Sequence, residues 1–226
     1  MYNLRIPFLL LGLCAIWACQ DAPTAANAAS GSGEQQPEKQ EEVSRKNIVF
    51  FGTSLTAAYQ LSPEQGFPAL IQDKIDSLGL AYRCINAGLS GETSVDGKNR
   101  IDWVLQQPVD IFVLELGAND ALRGLPVEEA QQNLQTILDR VKAKYPDCKL
   151  VIAGMLAPPN LGPRYTKDFA AMYPELAKAN DAALIPFLLE GVAADPELNL
   201  GDGIHPNENG QKIVAQNVWK VLHQML

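Results

Sequence analysis

Ser54 lies in the segment GTSL (residues 52–55), directly after a short apolar run, where a serine can act as a nucleophile. The segment differs from the G-x-S-x-G turn of α/β-hydrolases, because Thr56 stands at the position of the second glycine. A glycine and serine turn that begins a helix, or one that cradles a phosphate, fits the same residues. Ser54 on its own therefore predicts either a nucleophile or a simple turn.

Asp202 and His205 are three residues apart in the segment GDGIHP (residues 201–206). At this spacing the two side chains can meet, and a carboxylate then holds the imidazole in the tautomer that a general base needs. A surface turn with an incidental histidine would have the same sequence. The chain has 2 histidines, and the other, His223, lies near the end of an amphipathic segment without a nearby acidic residue. If Ser54 requires a histidine base, His205 is the stronger candidate.

Two further segments carry groups that are suited to a developing negative charge. Asn119 lies in GAND (residues 117–120), where its amide is a neutral donor for an oxyanion, although an asparagine there also fits a helix cap. Gly91 lies in AGLSGET (residues 87–93), where a glycine can bring a bare backbone N–H close to a ligand. A flexible loop without a function is the alternative for this second segment.

The apolar pattern of the chain predicts strands that alternate with helices. Runs typical of buried strands occupy Asn47–Phe51, Ala81–Ala87, Val109–Leu116, Lys149–Leu156 and Leu184–Leu188. Apolar residues at helical spacing predict helices over residues 67–78, 126–141, 169–179 and 213–225. This alternation implies an α/β fold, namely a flavodoxin-like three-layer αβα sandwich with a five-stranded parallel sheet in the order 2-1-3-4-5.

Ligands of such a sheet bind beyond the carboxyl ends of the strands, near the switch point between strands 1 and 3. The segments that contain Ser54, Gly91 and Asn119 each follow a different predicted strand, and the Asp202/His205 pair precedes the C-terminal helix. All four segments are therefore expected at one edge of the sheet. Together they indicate a site more strongly than any one of them does.

Four segments, FFGTSLTAAY, NAGLSGETS, LELGANDALRG and DGIHPN, resemble in order the motifs of the GDSL-type esterases of the SGNH hydrolase superfamily. The resemblance covers about residues 47–226. Within the superfamily, the chain is similar to the bacterial periplasmic multifunctional thioesterase/lysophospholipase/arylesterase group. The resemblance implies a serine hydrolase that acts on carboxylic esters or thioesters through an acyl-enzyme.

The resemblance also implies a role for each candidate residue. Ser54 would be the nucleophile and His205 its base, with Asp202 orienting the imidazole. The backbone N–H groups of Ser54 and Gly91 and the side chain of Asn119 would form the oxyanion hole.

One residue departs from the family pattern, since Thr53 stands where the family has the aspartate of G-D-S-L. That aspartate is not a member of the triad, so catalysis is expected to survive the change. Local hydrogen bonding around Ser54 is expected to differ from the family pattern.

The segment LAPPNLGPRYTKDFAAMYPELAK (residues 156–178) is similar to the substrate-loop region of that bacterial group, and its candidate substrate contacts are Pro158, Asn160 and Leu161. The expected partner is a small-molecule ester, including lipid-derived esters. A carbohydrate O-acetyl ester is the alternative, because other members of the superfamily cleave such esters with the same catalytic set. A non-enzymatic protein that binds an anion or a flavin is a remote alternative, and it would not need the Asp202/His205 pair.

The N-terminal residues 1–18 predict a lipoprotein signal peptide. Arg5 precedes an apolar run that is too short to span a bilayer, and IWAC (residues 16–19) resembles a bacterial lipobox. Cys19 is therefore the predicted site of lipidation, with cleavage without lipidation and a retained anchor as alternatives. Cys14 fits less well, because the bulky Leu13 precedes it.

Residues 19–46 contain few large apolar groups, which predicts a flexible tether in front of a hydrolase domain over residues 47–226. The expected location is exported, either periplasmic or anchored in a bacterial membrane. Contact with the membrane would depend on modification of Cys19.

The charge and residue inventory argues against other classes of protein. With 18 basic and 26 acidic residues, a net charge of -8 and no basic stripe, the chain is not expected to bind nucleic acid. The 2 histidines and the lack of metal-ligand spacing predict no metal site, and no cofactor is expected. Two cysteines, Cys84 and Cys148, remain outside the N-terminal segment, and this number would permit one disulfide. Because they lie on separate predicted strands, we expect two free, buried thiols instead.

Overall fold

The computed structural model describes residues 44–226, in which five parallel strands form a single sheet. The strands are β1 (Lys46–Gly52), β2 (Tyr82–Gly88), β3 (Ile111–Glu115), β4 (Lys149–Ala153) and β5 (Ala183–Ile185). Their order is β2-β1-β3-β4-β5, which confirms the predicted order. Because β1 lies between β2 and β3, the loops that leave these three strands are neighbours at the carboxyl edge.

Helices cover both faces of the sheet. They are α1 (Phe67–Ser77), α2 (Ser94–Val104), α3 (Ala118–Leu122), α4 (Val127–Lys144), α5 (Pro163–Ala179) and α6 (Glu208–Leu222). α1 packs against α6, whereas α4 packs between α2 and α5, so the layers are those of the predicted αβα sandwich. Within residues 44–226, no helix combines the length and the apolar character that a membrane crossing requires.

Continuous apolar runs explain where the central strands and the long helix form. All residues of β3, with the sequence IFVLE, are buried, as expected for a central parallel strand covered on both faces. The predicted apolar face of α4 is buried against the sheet and consists of Val127, Ala130, Leu134, Ile137, Leu138 and Val141. These elements form the rigid frame on which the loops of the carboxyl edge are mounted.

The apolar pattern does not predict α2, because its buried face is short and partly polar. The buried residues of this helix are Ser94, Gly97, Ile101 and Val104. Glycine is a poor helix former, but a Cβ at Gly97 would come 2.5 Å from Cδ1 of Leu116. The helix instead begins with a capping box, in which the N–H and hydroxyl of Thr93 donate to Asp96. Capping and close packing therefore define this element.

Several predicted boundaries are wrong, and two of these errors have a clear physical reason. α5 begins at Pro163 rather than near Phe169, because a proline fits the first turn of a helix, where its missing N–H has no partner to lose. The last strand is Ala183–Ile185 rather than Leu184–Leu188. It ends there because Pro186 has no N–H to donate to a neighbouring strand.

The first strand begins one residue before the predicted domain boundary. The backbone N–H of Lys46 donates to the carbonyl of Ala81 at 2.9 Å, and Lys46 is thereby part of β1. The predicted signal peptide, Cys19 and residues 19–43 of the predicted tether lie outside the described residues.

Cys84 and Cys148 are free, as predicted, but they differ in exposure. Cys148 is buried directly before β4, whereas Cys84 is only partly buried because β2 is an edge strand. The expectation of a buried thiol is therefore confirmed for Cys148 and wrong for Cys84. Burial raises the pKa of both thiols to about 12, so both are protonated at neutral pH.

Candidate active site

Ser54 lies in the first turn after β1. This turn is closed by hydrogen bonds from the N–H of Ala57 to the carbonyl of Thr53 (2.9 Å) and from the N–H of Tyr59 to the carbonyl of Ser54 (3.0 Å). From β2, Nδ2 of Asn86 donates to the carbonyl of Thr56 at 2.8 Å and ties the turn to the neighbouring strand. Ser54 is 9% exposed, so only a small part of this residue faces solvent.

His205 and Asp202 lie in the loop between β5 and α6. The N–H of Leu200 donates to the carbonyl of His205 at 2.7 Å and holds this loop closed. Nε2 of His205 lies 2.9 Å from Oγ of Ser54, and Nδ1 lies 2.7 Å from Oδ2 of Asp202. The fold thus brings three residues that are up to 151 positions apart into a continuous Ser–His–Asp chain of hydrogen bonds.

Hydrogen bonds hold the carboxylate of Asp202 in its charged form. Oδ1 accepts from the N–H groups of Ile204 (2.9 Å) and His205 (3.0 Å), while Oδ2 faces the imidazole. The backbone N–H of His205 is the largest of these contributions, and together they lower the pKa of Asp202 to about 2. An ionised Asp202 accepts from Nδ1–H, which leaves Nε2 of His205 free to accept the proton of Ser54.

Tyr59 is a site residue that the sequence pattern does not identify. Its ring centroid lies 4.5 Å from that of the His205 imidazole, with an angle of 39° between the rings. Tyr59 is 38% exposed, so its ring also forms part of the surface around the site. The ring therefore packs against the imidazole beside Ser54.

His223 is not part of this hydrogen-bonded arrangement. It is exposed at the end of α6, where its Nδ1–H donates to the carbonyl of Trp219 at 2.7 Å. Among residues 44–226, no group of three or more His, Cys, Asp or Glu side chains is arranged to hold a metal ion. The structure therefore places His205, and not His223, beside Ser54.

Gly91 lies on the loop that follows β2, and Asn119 lies in the first turn of α3, shortly after β3; these strands are the two neighbours of β1. Nδ2 of Asn119 donates to the carbonyl of Glu92 at 2.9 Å, which links the loop to α3. Arg123 donates from Nη2 to the carbonyl of Gly91 at 2.8 Å, and Gly91 has a φ of 82°, a conformation that favours glycine. An amide NH₂ has two protons, so one proton of Asn119 remains for a ligand.

An ion pair between Glu92 and Arg100 lies beneath the Gly91 loop. Nε of Arg100 donates to Oε1 of Glu92 at 2.6 Å, and Nη2 donates to the carbonyl of Ala87 at 3.1 Å. The guanidinium also lies 4.3 Å from the ring centroid of Phe51. Both charged side chains are largely buried, with exposures of 18% and 8%, so the pair fixes the base of the loop.

Replacement of Asn119 by alanine is expected to lower kcat by about 10²–10³-fold, the usual cost of removing one oxyanion donor, with little change in KM. The reason is that the carbonyl oxygen acquires its charge only in the transition state. Initial rates on a chromogenic ester measure both constants, and Asn209→Ala, at an exposed position of α6, is the matched control. A change confined to KM would contradict the oxyanion role.

Thr53, the residue that departs from the family pattern, is 1% exposed. Its hydroxyl donates to Oε1 of Glu115 at 3.0 Å, and its N–H donates to Oε2 of the same residue at 2.8 Å. The expected difference in hydrogen bonding around Ser54 thus takes the form of a contact with a buried glutamate.

The candidate substrate residues Pro158, Asn160 and Leu161 lie between β4 and α5. Asn160 is exposed, while Pro158 and Leu161 are partly buried. Leu161 lines a surface concavity of about 390 Å³ together with Tyr165, and the Ser–His–Asp residues are not part of its lining. A substrate role for these three residues stays a prediction.

The sequence of the domain matches one described family along most of its length. Residues 50–213 match the GDSL-like Lipase/Acylhydrolase family, and this range contains the complete Ser–His–Asp chain of hydrogen bonds. This chain belongs to that family. Its membership of the GDSL-like acylhydrolases confirms the resemblance carried by the four motifs.

Three relatives of this GDSL-like acylhydrolase agree with the assignment. Esterase TesA of Pseudomonas aeruginosa is 36% identical over 187 residues, which cover 82% of this chain and 92% of the relative. Thioesterase 1/protease 1/lysophospholipase L1 of Escherichia coli is 38% identical over 180 residues, which cover 79% of this chain and 84% of the relative. The crystal structure of the psychrotrophic esterase EstA from Pseudoalteromonas sp., inhibited by monoethylphosphonate, has a TM-score of 0.75 and 34% identity over 80% of this chain and 98% of its own.

Proposed function

We propose that this GDSL-like acylhydrolase is a serine esterase in which Ser54 is the nucleophile, His205 is the general base and Asp202 orients the imidazole. The observation that carries the proposal is the hydrogen-bonded line from Oγ of Ser54 through both imidazole nitrogens to Oδ2 of Asp202. A phosphate or flavin cradle would not need this line. The names of the relatives, esterase and thioesterase/lysophospholipase, support the same reaction class.

Hydrolysis proceeds in two stages through an acyl-enzyme. Oγ of Ser54 attacks the carbonyl carbon of the ester while Nε2 of His205 takes the hydroxyl proton. The tetrahedral intermediate collapses, and the leaving alcohol departs with the proton from His205. Water then attacks the acyl-enzyme, giving its proton to His205, and the second collapse releases the carboxylic acid and restores Ser54.

The oxyanion formed in both stages is held by donors from the three segments that follow β1, β2 and β3. These donors are the N–H groups of Ser54 and Gly91 and the Nδ2 amide of Asn119. The hydrogen bond from Asn119 to Glu92 and that from Arg123 to Gly91 hold the donors before substrate arrives. Donors fixed in advance need no reorganisation when the charge appears, which is why this arrangement favours acyl transfer.

The surface around the site favours an ester with an apolar acyl or aryl group. The segments that follow the strands carry exposed large apolar side chains, among them Tyr59, Leu89, Leu122, Leu156 and Ile204, which are between 38% and 56% exposed. Contact with an acyl chain would remove this apolar area from water, whereas a sugar would not. We therefore place carboxylic esters with apolar acyl chains ahead of carbohydrate O-acetyl esters.

A series of p-nitrophenyl esters with acetyl, butyryl, octanoyl and lauroyl groups, measured beside a peracetylated sugar, tests the substrate class. A rise in kcat/KM with the first added methylenes is expected, with an upper bound of roughly fourfold for each methylene that becomes fully buried. A preference for the acetylated sugar over every p-nitrophenyl ester would contradict the apolar substrate class. A lack of hydrolysis in all cases would contradict the esterase itself.

Export and lipid anchoring are also proposed, on the residue pattern of the first 19 positions alone. Cys19→Ser is expected to abolish incorporation of labelled palmitate during expression in a bacterial host, because the thioether to the lipid forms on that thiol. Cys14→Ser is the matched control. Label that persists in Cys19→Ser, or that is lost in Cys14→Ser, would contradict the proposed site.

A further inference from the structure

Glu115 is a buried acid that the proposed reaction does not use. It is the last residue of β3, is 1% exposed, and lies opposite Gly52 in the register of β1 and β3. A glutamate in such a position is unusual, because burial of a carboxyl group is unfavourable unless polar partners compensate it. Its partners therefore indicate its role.

Four donors from two threonines surround the Glu115 carboxyl group. Thr53 donates its N–H to Oε2 at 2.8 Å and its hydroxyl to Oε1 at 3.0 Å. Thr56 donates its hydroxyl to Oε2 at 2.8 Å and its N–H to the same atom at 3.3 Å. The two threonines are buried and stand on either side of Ser54, so the carboxyl group connects both ends of the segment that carries the nucleophile.

Two glycines beside this cluster have no room for a side chain. A Cβ at Gly52 would collide with the hydroxyl of Thr56 and with the carboxyl group of Glu115. A Cβ at Gly88 would collide with the backbone of the turn at Ala57 and Thr56. Glycine at both positions lets β1 and β2 approach the turn closely, so the cluster and the turn form one tightly packed unit.

The residue at position 53 contributes to the electrostatics of the cluster. Burial raises the pKa of Glu115, and the hydrogen bonds from Thr53 and Thr56 oppose that shift only in part. A second carboxyl group at position 53 would disfavour the charged form of Glu115. A threonine supplies a donor there instead, which suits a single buried acid.

We propose that Glu115 is a positioning residue for the nucleophile, acting through the hydroxyl and N–H groups of Thr53 and Thr56. The cluster fixes the turn so that Oγ of Ser54 meets Nε2 of His205 and the N–H of Ser54 faces the developing oxyanion. This role rests on the proposed function of Ser54. A small displacement of the turn changes the geometry of attack more than it changes the contacts of bound substrate. Loss of the cluster is therefore expected to lower kcat and to leave KM nearly unchanged.

The experiment removes one hydroxyl at a time from the full-length protein. Thr56→Val and Thr53→Val keep the side-chain shape without the hydroxyl, Thr56→Ser and Thr53→Ser restore it, and Glu115→Gln keeps the shape of the acid. Thr136→Val is the control, since the hydroxyl of Thr136 bonds only its own helix, to the carbonyl of Gln132. For each variant, kcat, KM, the rate of Ser54 labelling by a fluorophosphonate, and the melting temperature are measured.

The valine variants are expected to lose on the order of 10- to 100-fold in kcat and in labelling rate, with KM within about twofold. The serine variants are expected to recover most of both rates. A melting temperature that falls while both rates per folded molecule stay at the wild-type value would overturn the proposal, as would a loss that serine does not restore. If Glu115→Gln yields no folded protein, the threonine variants decide the matter.

The two proposals fail in different ways. Wild-type protein that neither hydrolyses esters nor reacts with the fluorophosphonate would contradict the function proposed for Ser54. Wild-type protein that reacts normally, together with valine variants that react equally fast, would contradict only the role of Glu115.

Discussion

Replacement of Ser54 by alanine is expected to lower kcat for ester hydrolysis by up to about 10⁶-fold, as in other serine hydrolases that lose their nucleophile. The reason is that Oγ of Ser54, at 2.9 Å, is the hydroxyl that meets Nε2 of His205 within residues 44–226 and is in position to form the acyl-enzyme. The same variant is expected to lose all labelling by a fluorophosphonate. Steady-state rates with p-nitrophenyl butyrate and mass spectrometry of the labelled protein measure the two losses.

Ser77→Ala is the matched control for this variant. Ser77 is exposed at the end of α1, and its hydroxyl bonds the carbonyl of Lys74, so activity is expected to remain at the wild-type level. Because alanine keeps the Cβ of serine and removes only the hydroxyl, the variant is expected to preserve the fold. Turnover by Ser54→Ala in a sample free of host esterases would disprove the acyl-enzyme mechanism.

Replacement of His205 by glutamine is expected to have an effect of similar size, about 10⁴–10⁶-fold in kcat. A glutamine amide can occupy part of the imidazole volume and form hydrogen bonds, but it cannot accept the Ser54 proton. KM is expected to change much less, since neither imidazole nitrogen contributes to binding of the acyl group. The effect on kcat is measured from rates at saturating ester. The effect on substrate binding is measured separately, by comparing Ser54→Ala with Ser54→Ala/His205→Gln.

His223→Gln is the control for this second variant, because His223 is the other histidine of the chain and is exposed at the end of α6. The double variant Ser54→Ala/His205→Gln is expected to be no slower than Ser54→Ala alone. The two residues act as one unit, so the loss of either one already removes the contribution that both make together. Additive losses would mean that His205 acts outside the proposed proton transfer.

The strands and their order are the part of the fold that the sequence predicts best, because buried parallel strands need continuous apolar runs that are visible locally. β3 is the clearest example. Ser54 is likewise found from its residue type and its position after a strand, and Asp202 and His205 are found from their three-residue spacing before the C-terminal helix. Their distances confirm that they meet.

The supporting contacts around the site are not visible in the sequence. Glu115 and Thr53 are 62 positions apart, and Arg100 and Glu92 meet across the boundary between a loop and α2. Such pairs depend on tertiary packing, for which no local periodicity exists. Tyr59 lies five residues after Ser54, yet its ring reaches His205 only because the turn closes.

The direction of β1 has a practical consequence for handling the enzyme. This strand enters the sheet at Lys46 and delivers Ser54 just beyond its other end, a distance of about 23 Å at roughly 3.3 Å per residue. A solid support or a fusion partner joined directly before Lys46 would attach at the edge of the sheet remote from Ser54. Immobilisation at that position is therefore expected to leave Ser54 accessible, whereas attachment near the loop before α6, which carries His205, would obstruct the site.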